Sequence, residues 1–566
     1  MVGFATATVT NFLLNARYAF AARPGLSAYV RFVIVALLAL VLRGGILSGA
    51  QAAGVPELLS VILGIAAGAV VNLIGIGFWV FPVSGSNRAG RWRLAAIGLV
   101  AYLVVLRLAY AGQTELSAEE AYYWNYAQHL DWGYFDHPPM VGWLIAASTW
   151  LLGDNPFAVR LPALGCWLVA LVALVRLAQV QWGRDAGWAT ALVFAAMPFA
   201  IGAGPVMTPD APLMAAWAVT LLATREALSR GRTGWWLVAG CALGLGMLSK
   251  YSIALLVPPA VLMLFLTADG RRQLVRPGPW VAVTIMALCF VPVIYWNSQH
   301  DWVSFRFQTA GRWTGAAAFH GHELIRDMLA LAGPLVLAVA LLGHRRIIGL
   351  VSRPGSRYLL LALGLPLAVF AAHACLHESR PNWTGPPLLA LVPLVGALAA
   401  WTLRCRPYVI HDRVFATALL LPVVLLGGFL HYVAIGLPGV AYPRQIARFI
   451  GWRQLGVKVC AMAEQERRDG GALPIIAGVD RYNIASQIAF ATADKYQNHA
   501  EIASGGLFGV DDLMYRYWSP PAAARDHDVL VVGRSARNCR WPLWSNASPG
   551  WIQSRNCRSP ARTAPR

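Results

Sequence analysis

The stretch LAAIGLVAYLVVLRLAYAG at residues 94–112 contains a single charged residue, Arg107. A helix of about 20 apolar residues crosses a hydrocarbon core of about 30 Å. Similar blocks recur along the 566-residue chain, which is 58% hydrophobic and 13% charged with a mean hydropathy of +0.55. Soluble domains are typically about 25% charged. The composition therefore predicts an α-helical polytopic membrane protein and excludes a disordered chain, a coiled coil and a disulfide scaffold.

The apolar blocks predict about 13 transmembrane helices. They lie near residues 27–50, 55–83, 94–112, 161–180, 186–203, 211–228, 234–249, 252–267, 279–296, 326–342, 358–375, 385–403 and 414–436. Arginine is concentrated in alternate links, whereas the link at 113–157 contains no lysine or arginine. The positive-inside rule places the arginine-rich links in the cytoplasm and residues 113–157 outside. It also accounts for the net charge of +20 without a nucleic-acid partner.

The chain divides into three predicted regions. These are a transmembrane module at 1–85, a larger transmembrane domain at 94–436 whose first external loop is 113–157, and a polar region at 437–566. By the span count, the last region lies outside the membrane on the same side as the loop.

The polar region predicts a small extracytoplasmic α/β domain. The runs IIAGV (475–479) and DVLVVG (528–533) indicate strands, and residues 483–492 indicate a helix. Cys539 and Cys557 are either disulfide-bonded in an oxidising compartment or two free thiols.

The first external loop combines carboxylates, a histidine and aromatic residues in GQTELSAEEAYYWNYAQHLDWGYFDHPPMVGWLI, residues 112–145. Ser117 and Glu120 have the spacing of a capping box that opens a helix through about residue 130. Glu119, Tyr122 and Tyr123 then share one helix face. The alternative is that the two glutamates only stabilise the helix N-terminus, and both roles are compatible for Glu120.

The motif Asp136-His137-Pro138-Pro139 follows in the same loop. Two prolines fix the backbone and restrict the residue before them, so a carboxylate and an imidazole are held in place at the membrane surface. Beside two glutamates in an arginine-free loop, this histidine is a candidate site residue.

Two charged residues mark the external ends of later spans. Asp210 lies in the short turn MTPDAPL (207–213), where the alternative is a helix cap. Lys250 lies in LSKYS (248–252) and is the only lysine before residue 458. The alternative for a lysine near a membrane is snorkelling, in which the ammonium group reaches the aqueous interface. A single lysine in an arginine-rich chain instead indicates a specific role, and its compact positive charge is suited to binding a phosphate.

Two further external segments carry arginine and amide side chains. WNSQHDWVSFRFQ (296–308) contains Arg306, and HESRPNW (377–383) contains Arg380 and Asn382. Arginine on the external face is suited to binding phosphate through paired N–H donors. The tryptophans of these segments are equally typical of the aromatic belt of a membrane protein.

The order of these motifs resembles the membrane-embedded glycosyltransferases of the GT-C class. More narrowly, it is similar to bacterial protein mannosyltransferases and aminoarabinose transferases (glycosyltransferase families 39 and 83) over about residues 95–400. The resemblance rests on EEAYYW (119–124), GYFDHPPM (133–140), GDNPFAVRLP (153–162), MTPDAP (207–212), LSKY (248–251), WNSQHDWVSFRFQ (296–308) and PNW (381–383). It implies a GT-C fold and transfer of a sugar from a polyprenyl phosphate to a glycolipid, polysaccharide or protein on the periplasmic face of the bacterial inner membrane.

The resemblance also implies roles for the candidate residues. The family usually has Asp-Glu where this chain has Glu119-Glu120, and its aspartate is the catalytic base, so Glu119 is the expected base. His137 and Lys250 fall where relatives place basic groups near the donor phosphate, and Asp210 matches an acidic residue of the second external loop. Arg306 and Arg380 complete the expected phosphate clamp.

The expected reaction is an inverting transfer. A carboxylate accepts the proton of the acceptor hydroxyl, and cations stabilise the departing polyprenyl phosphate. The remaining candidates, expected to bind substrate, are Tyr122, Tyr123, Asp136 and Asn382. A divalent metal is compatible with so many carboxylates, but no ligand spacing requires one.

The first 85 residues resemble the last two and a half helices of the small GtrA-like family, proposed to translocate polyprenyl-phosphate-linked sugars. The segments NFLLNARYAF (11–20) and NLIGIGFWVF (72–81) share Asn at the first position, an aromatic at the eighth and Phe at the tenth. The resemblance implies that the chain begins inside the second helix of that module.

Three other functions compete with this hypothesis. A flippase of lipid-linked sugars would account for the N-terminal module but needs no base and no carboxylate-rich loop. A non-catalytic assembly or sensor protein leaves Glu119, His137 and Lys250 unexplained. A transferase that uses a protein hydroxyl as acceptor is not separated by sequence from one that uses a glycolipid.

Overall fold

The fold is given by a computed structural model that describes most of the chain. The described residues are 2–81, 88–312, 317–378, 380–405, 409–437, 439–443, 446–496, 501–524, 527–533 and 552–553.

The N-terminal module is helical, and its sequence repeat is also a structural repeat. Each repeated segment ends in a π-helical turn, Asn15–Ala19 in the first and Ile76–Val80 in the second. The rings of Phe20 and Phe81, at the tenth positions, stack with centroids 5.0 Å apart. The described helices of this module are α1 (Val2–Leu14), α2 (Leu26–Ala52) and α3 (Glu57–Gly75).

The central region is a bundle of helices of very different lengths. Its described helices are α4 (Arg88–Ala111), α5 (Ala118–Gln128), α6 (Met140–Leu152), α7 (Pro156–Trp182), α8 (Arg184–Ala196), α9 (Pro198–Ala203), α10 (Asp210–Arg230), α11 (Thr233–Met247), α12 (Val257–Leu266), α13 (Ala268–Leu274), α14 (Pro277–Gln299), α15 (Val303–Gln308), α16 (Gly321–Val351), α17 (Pro354–Ala374), α18 (Pro381–Leu388), α19 (Leu391–Cys405) and α20 (Val409–Ile435).

The chain is a multi-span membrane protein, but the predicted count of 13 helices is not confirmed. Within the described residues, eight helices are long and apolar enough to cross a membrane, or ten if each of two bent pairs is one span. Proline accounts for part of the difference. The predicted span 186–203 is broken at Met197, because Pro198 removes a backbone donor and forces an extended conformation before it. The predicted span 234–249 is only the 15-residue α11.

Small residues allow the central helices to approach closely. A Cβ on Gly240 of α11 would lie 2.6 Å from the carbonyl oxygen of Ala282 in α14. In a lipid bilayer the hydrophobic effect does not favour the association of helices. Close van der Waals packing of this kind therefore contributes to holding the helices together. The bundle centre is filled by large buried side chains, among them Trp167, Phe194 and Trp217.

The polar region forms the predicted α/β domain. Both predicted strands and the predicted helix are present. The described sheet has the strand order Ile502–Ala503, Ile475–Gly478, Val529–Val532 and Ile552–Gln553, and only its last pair is antiparallel. Cys539 and Cys557 lie outside the described residues. The described elements are α21 (Trp452–Arg468), β1 (Ile475–Gly478), α22 (Asn483–Tyr496), β2 (Ile502–Ala503), α23 (Tyr515–Trp518), β3 (Val529–Val532) and β4 (Ile552–Gln553).

Candidate active site

The first external loop opens with the predicted capping box. The Ser117 hydroxyl accepts from the Glu120 backbone N–H at 3.2 Å, and the Glu120 carboxylate accepts from the Ser117 N–H at 2.9 Å. Helix α5 therefore begins at Ala118, as the sequence predicts. This start fixes the direction in which Glu119 and Glu120 project.

Glu120 is fully buried and held by an arginine that the sequence analysis did not single out. Arg160 of α7 donates from Nε to Oε1 at 2.8 Å and from Nη2 to Oε2 at 2.9 Å. The Met207 N–H, just before Asp210, donates to the same carboxylate at 3.2 Å. Such a paired geometry is the strong form of a charged hydrogen bond. Glu120 thus ties the loop to α7 and to the segment that carries Asp210.

Arg160 also binds the loop backbone. Its Nη1 donates to the carbonyl oxygens of Ala111 and Thr114, and its Nη2 donates to that of Glu115. The signal in the sequence is an arginine immediately before the predicted span 161–180 and just after the arginine-free acidic loop at 113–157. An ion in that place needs a partner.

Asp210, Lys250 and Asn382 come together from three distant segments. The Lys250 ammonium donates to Oδ1 of Asp210 at 2.8 Å, and the Asn382 amide donates to Oδ2 at 3.2 Å. The side chains of Asp210 and Lys250 are each only about one-eighth exposed, at 13% and 12%. The ion pair fixes the Lys250 ammonium against Asp210, and it leaves other N–H donors of the ammonium group for a ligand.

Glu119 faces this cluster and is solvent-accessible, unlike its neighbour Glu120. Desolvation by the surrounding protein and repulsion from Asp210 raise the pKa of Glu119, while Lys250 and Arg380 oppose the shift. Among the described residues no donor forms a hydrogen bond with its carboxylate. An accessible carboxylate with a raised pKa is suited to accept a proton.

Asp136 is a buried carboxylate in the core of the loop. The hydroxyls of Tyr122 and Tyr126 donate to its Oδ1 at 2.9 and 2.6 Å. Burial raises the pKa of Asp136, and these two hydrogen bonds oppose the shift. Tyr122 and Tyr123 are also buried, at 1% and 6% exposure. Their predicted contact with substrate, and that of Asp136, stay predictions, because these side chains face one another.

His137 lies at the edge of this aromatic core. Its ring packs edge-on against Tyr123 at 5.8 Å, and its Nε2 is 4.0 Å from Asp136 Oδ2. The next residues anchor the motif, since the Met140 N–H donates to the Leu248 carbonyl at 2.9 Å. The DHPP corner is thereby fastened to the segment that carries Lys250.

The two predicted arginines occupy different places. Arg380 precedes α18 and acts electrostatically on Glu119 and on Tyr482. Arg306 is exposed on α15 and acts on Tyr517 of the polar domain instead. The structure therefore brings Arg380, but not Arg306, to the Asp210–Lys250–Asn382 cluster.

The polar domain contributes a side chain that the sequence analysis missed. Tyr482 packs on Tyr122 with ring centroids 4.5 Å apart. Burial, followed by the charges of Glu119 and Asp136, raises the pKa of Tyr482 to about 12. Nothing in the local sequence marks this tyrosine, because only the docking of the domain on α5 brings it to the site.

A metal centre has little support in the described part of the chain. Within it, no three His, Cys, Asp or Glu side chains are grouped closely enough to hold an ion.

Two protein families match separate parts of the chain. The family described as dolichyl-phosphate-mannose-protein mannosyltransferase matches residues 136–296. The GtrA/DPMS transmembrane domain matches residues 1–81. Both matches agree with the resemblances that the motifs carry.

Curated relatives align with about half of the chain or less. The lipid A galacturonosyltransferase RgtD of Rhizobium johnstonii is 28% identical over 303 residues, 52% of this chain and 62% of that protein. The undecaprenyl phosphate-α-4-amino-4-deoxy-L-arabinose arabinosyl transferase of Photorhabdus laumondii is 32% identical over 177 residues, 30% of this chain and 32% of that protein. The chain thus matches less than two thirds of the length of either relative.

The fold is that of a solved membrane protein. ArnT from Cupriavidus metallidurans in the apo state superposes with a TM-score of 0.53 at 14% identity, covering 79% of this chain and 93% of ArnT. The structure of ArnT bound to undecaprenyl phosphate gives the same TM-score at 15% identity, covering 78% and 93%. This likeness confirms the expected GT-C fold.

Proposed function

We propose that the chain is an integral membrane glycosyltransferase that moves a sugar from a polyprenyl phosphate to a lipid A-type glycolipid. The observation that carries the proposal is the placement of Glu119 beside the Asp210–Lys250–Asn382 cluster at the external ends of the helices. The similarity to RgtD and to the arabinosyl transferases supports both substrate classes. The proposed location is the bacterial inner membrane, with the site and the polar domain on the periplasmic face.

Glu119 is the proposed base. It is accessible to an acceptor hydroxyl and has a raised pKa, which makes proton acceptance more favourable than for an ordinary glutamate. As it takes the proton, the acceptor oxygen attacks the anomeric carbon, and the bond from that carbon to the phosphate oxygen breaks. The proposed outcome is inversion.

Lys250 is the main proposed partner of the donor phosphate. Its ammonium is fixed by Asp210 and retains other N–H donors, so it is pre-positioned for the charge that grows on the leaving phosphate. Arg380 and His137 are proposed to add to this charge stabilisation, and Asn382 to keep Asp210 in place. Arg306 is proposed to act at the rim, near the polar domain.

Glu120 is proposed to position its neighbour rather than to react. Both of its oxygens are already bonded to Arg160. Because Glu120 is fully buried, the hydroxyl of an acceptor substrate does not reach it. In the same way, Asp136, Tyr122 and Tyr123 are proposed to shape the wall behind Glu119.

The test compares wild type with Glu119→Gln and the conservative Glu119→Asp in reconstituted vesicles. Loss of a general base typically lowers the rate by 10²- to 10⁴-fold, so Glu119→Gln should lose at least 100-fold in kcat. Glu119→Asp should retain most of the activity, and Glu501→Gln, on the polar domain, should retain all of it. Unchanged kcat in Glu119→Gln would refute the base. No transfer from any lipid-linked sugar would refute the transferase.

A transport role is favoured only for the N-terminal module, by its match to the GtrA/DPMS domain. One polypeptide would then deliver the lipid-linked sugar outward and use it. Deletion of residues 1–85 should lower transfer in cells but spare transfer when donor is supplied from the outer face. Equal loss in both assays would contradict this division of labour.

A further inference from the structure

A cavity of about 250 Å³ lies against the first external loop, where Glu115, Ser117 and Glu120 line it. Its walls come from the outer ends of α4, α7 and α20 and from the segment between α9 and α10. Lys250, Asp210, Asn382 and Glu119 are not among its lining residues. It is therefore distinct from the proposed donor site, although Glu120 and Arg160 lie between the two.

Arg107 supplies the positive charge of this cavity. The side chain is 3% exposed, and one nitrogen, Nη2, donates to the Ala200 carbonyl at 3.3 Å. Its Nε and Nη1 have no hydrogen-bond partner among the described residues. The guanidinium also lies 4.2 Å from the ring of Trp167. A buried cation with unbonded donors is costly unless an anion completes it.

The surroundings make room for Arg107 but do not neutralise it. A Cβ on Gly204 would lie 2.5 Å from the Arg107 guanidinium carbon, so a larger residue there would displace the guanidinium. The two carboxylates of the cavity are engaged elsewhere. Glu120 is bonded to Arg160, and Glu115 accepts from the backbone N–H groups of Trp452 and Arg453.

Much of the remaining lining is apolar. Leu426, Phe429, Leu430 and Val433 of α20 line it at positions i, i+3, i+4 and i+7, which form one stripe of the helix. At 1.5 Å per residue the stripe is about 10 Å long. A free phosphate makes no favourable contact with such an apolar wall. A phosphate that carries a single hydrocarbon chain does, because the chain packs along the stripe.

The cavity also borders the N-terminal module. Tyr110 lines it, and the Tyr110 hydroxyl donates to the Val41 carbonyl of α2 at 2.8 Å. A lipid that passes from the module to the central domain would meet this seam.

We propose that the Arg107 cavity is a second polyprenyl-phosphate site, in which the guanidinium binds the phosphate and the α20 stripe holds the first isoprene units. The choice of lipid rests on the proposed function. The site would hold the lipid-linked sugar before it enters the donor site, beside the N-terminal module. Alternatively, it would hold the polyprenyl phosphate that leaves the donor site after sugar transfer.

The test counts undecaprenyl phosphate molecules bound to the delipidated full chain by native mass spectrometry. Wild type should bind two. Arg107→Met should weaken the second binding step at least 10-fold, and Leu430→Trp, which fills the cavity and leaves Arg107 intact, should do the same. Leu425→Trp, on the lipid-facing side of α20, is the matched control and should bind two. Lys250→Met with Leu430→Trp should bind none.

The outcomes separate the alternatives. A wild-type count of one, or an unchanged count in both cavity variants, overturns the proposal. Displacement of the second lipid by millimolar inorganic phosphate, or preferential occupation by a phosphorylated glycolipid, overturns the assignment of the occupant. Two bound lipids without sugar transfer would refute the proposed function and leave the second site standing. Sugar transfer by a wild-type chain that binds only one lipid would refute the second site and leave the proposed function standing.

Discussion

Glu119 and Glu120 are adjacent in sequence but have opposite environments. Glu120 is buried and bonded to Arg160, whereas Glu119 is accessible and has no bonded donor among the described residues. Two carboxylates with separated environments are a common arrangement for dividing structural and proton-transfer roles. Because α5 rotates about 100° per residue, one helix start sets both environments.

The raised pKa of Glu119 predicts an acidic limit to activity. Only the ionised carboxylate accepts a proton, so kcat/KM should fall as the pH drops through its raised pKa. Arg380 lowers that pKa. Arg380→Gln should therefore shift the acidic limb to higher pH, which a pH–rate profile would measure.

Arg306→Gln is the matched control for this shift. It removes an equal charge from an exposed position, but Arg306 is not among the main groups that shift the pKa of Glu119. An equal displacement of the limb in both arginine variants would point to a general surface effect and contradict a local one.

At this scale the sequence analysis selects residues that meet in the structure, but it does not predict which contacts they make. Asp210, Lys250 and Asn382 were singled out separately and prove to be hydrogen-bonded together. Tyr122 and Asp136 were also singled out, yet they are bonded to each other in a buried core. Burial depends on what packs over a residue from elsewhere in the chain, and the local spacing does not contain that information.

At the scale of elements, the first external loop is held by one arginine. Arg160 connects α7 to the capping box, to the loop backbone and, through Glu120, to the segment before α10. The loop is thus held in a fixed position although it is not one of the long helices of the bundle.

Arg160→Met should destabilise the protein more than it perturbs any single contact. Breaking a buried ion pair from one side typically costs 3–5 kcal/mol, because the remaining charge is left uncompensated. We expect a clear fall in Tm in detergent and loss of transfer. Arg467→Met, which removes an exposed pair with Glu464, should leave Tm unchanged. A variant that keeps both Tm and activity would contradict the anchoring role.

Continuous apolar helices were predictable, but breaks within them were not. Apolar length identified α2, α7 and α14 well, whereas α12 and α13 meet at a bend of 105°. A hydropathy window averages over such a bend, and proline alone does not predict a break, because α14 continues through Pro292. The short strands of the polar domain were predictable because turn residues bound them on both sides.

At the scale of the whole molecule, the polar domain closes over the first external loop. The Gln487 amide donates to the Leu116 carbonyl at 2.7 Å, and Trp518 and Tyr482 pack on the tyrosines of α5. The three regions of the chain are predicted from composition and from the repeated segment near the N-terminus. Their docking is not, because it depends on surface complementarity between distant segments.

Membrane sidedness gives a direct test at this scale. In a background in which all eight native cysteines are replaced by serine, a cysteine placed at Gln128 in the first external loop should react with an impermeant maleimide in spheroplasts. A cysteine placed at Arg272, in an arginine-rich link, should react only after the membrane is opened. Both positions are exposed, so the reverse pattern would invert the proposed orientation.

The contact between Tyr482 and Tyr122 has a consequence for biosynthesis. A ribosome adds about 5–20 residues per second, so the polar domain emerges roughly 20–70 seconds after the loop on which it packs. During that interval the newly inserted chain has its glutamates and Lys250 but lacks the tyrosine that completes the wall. The nascent chain would be silent until its polar domain is translocated and folded, which couples the start of activity to the synthesis of that domain.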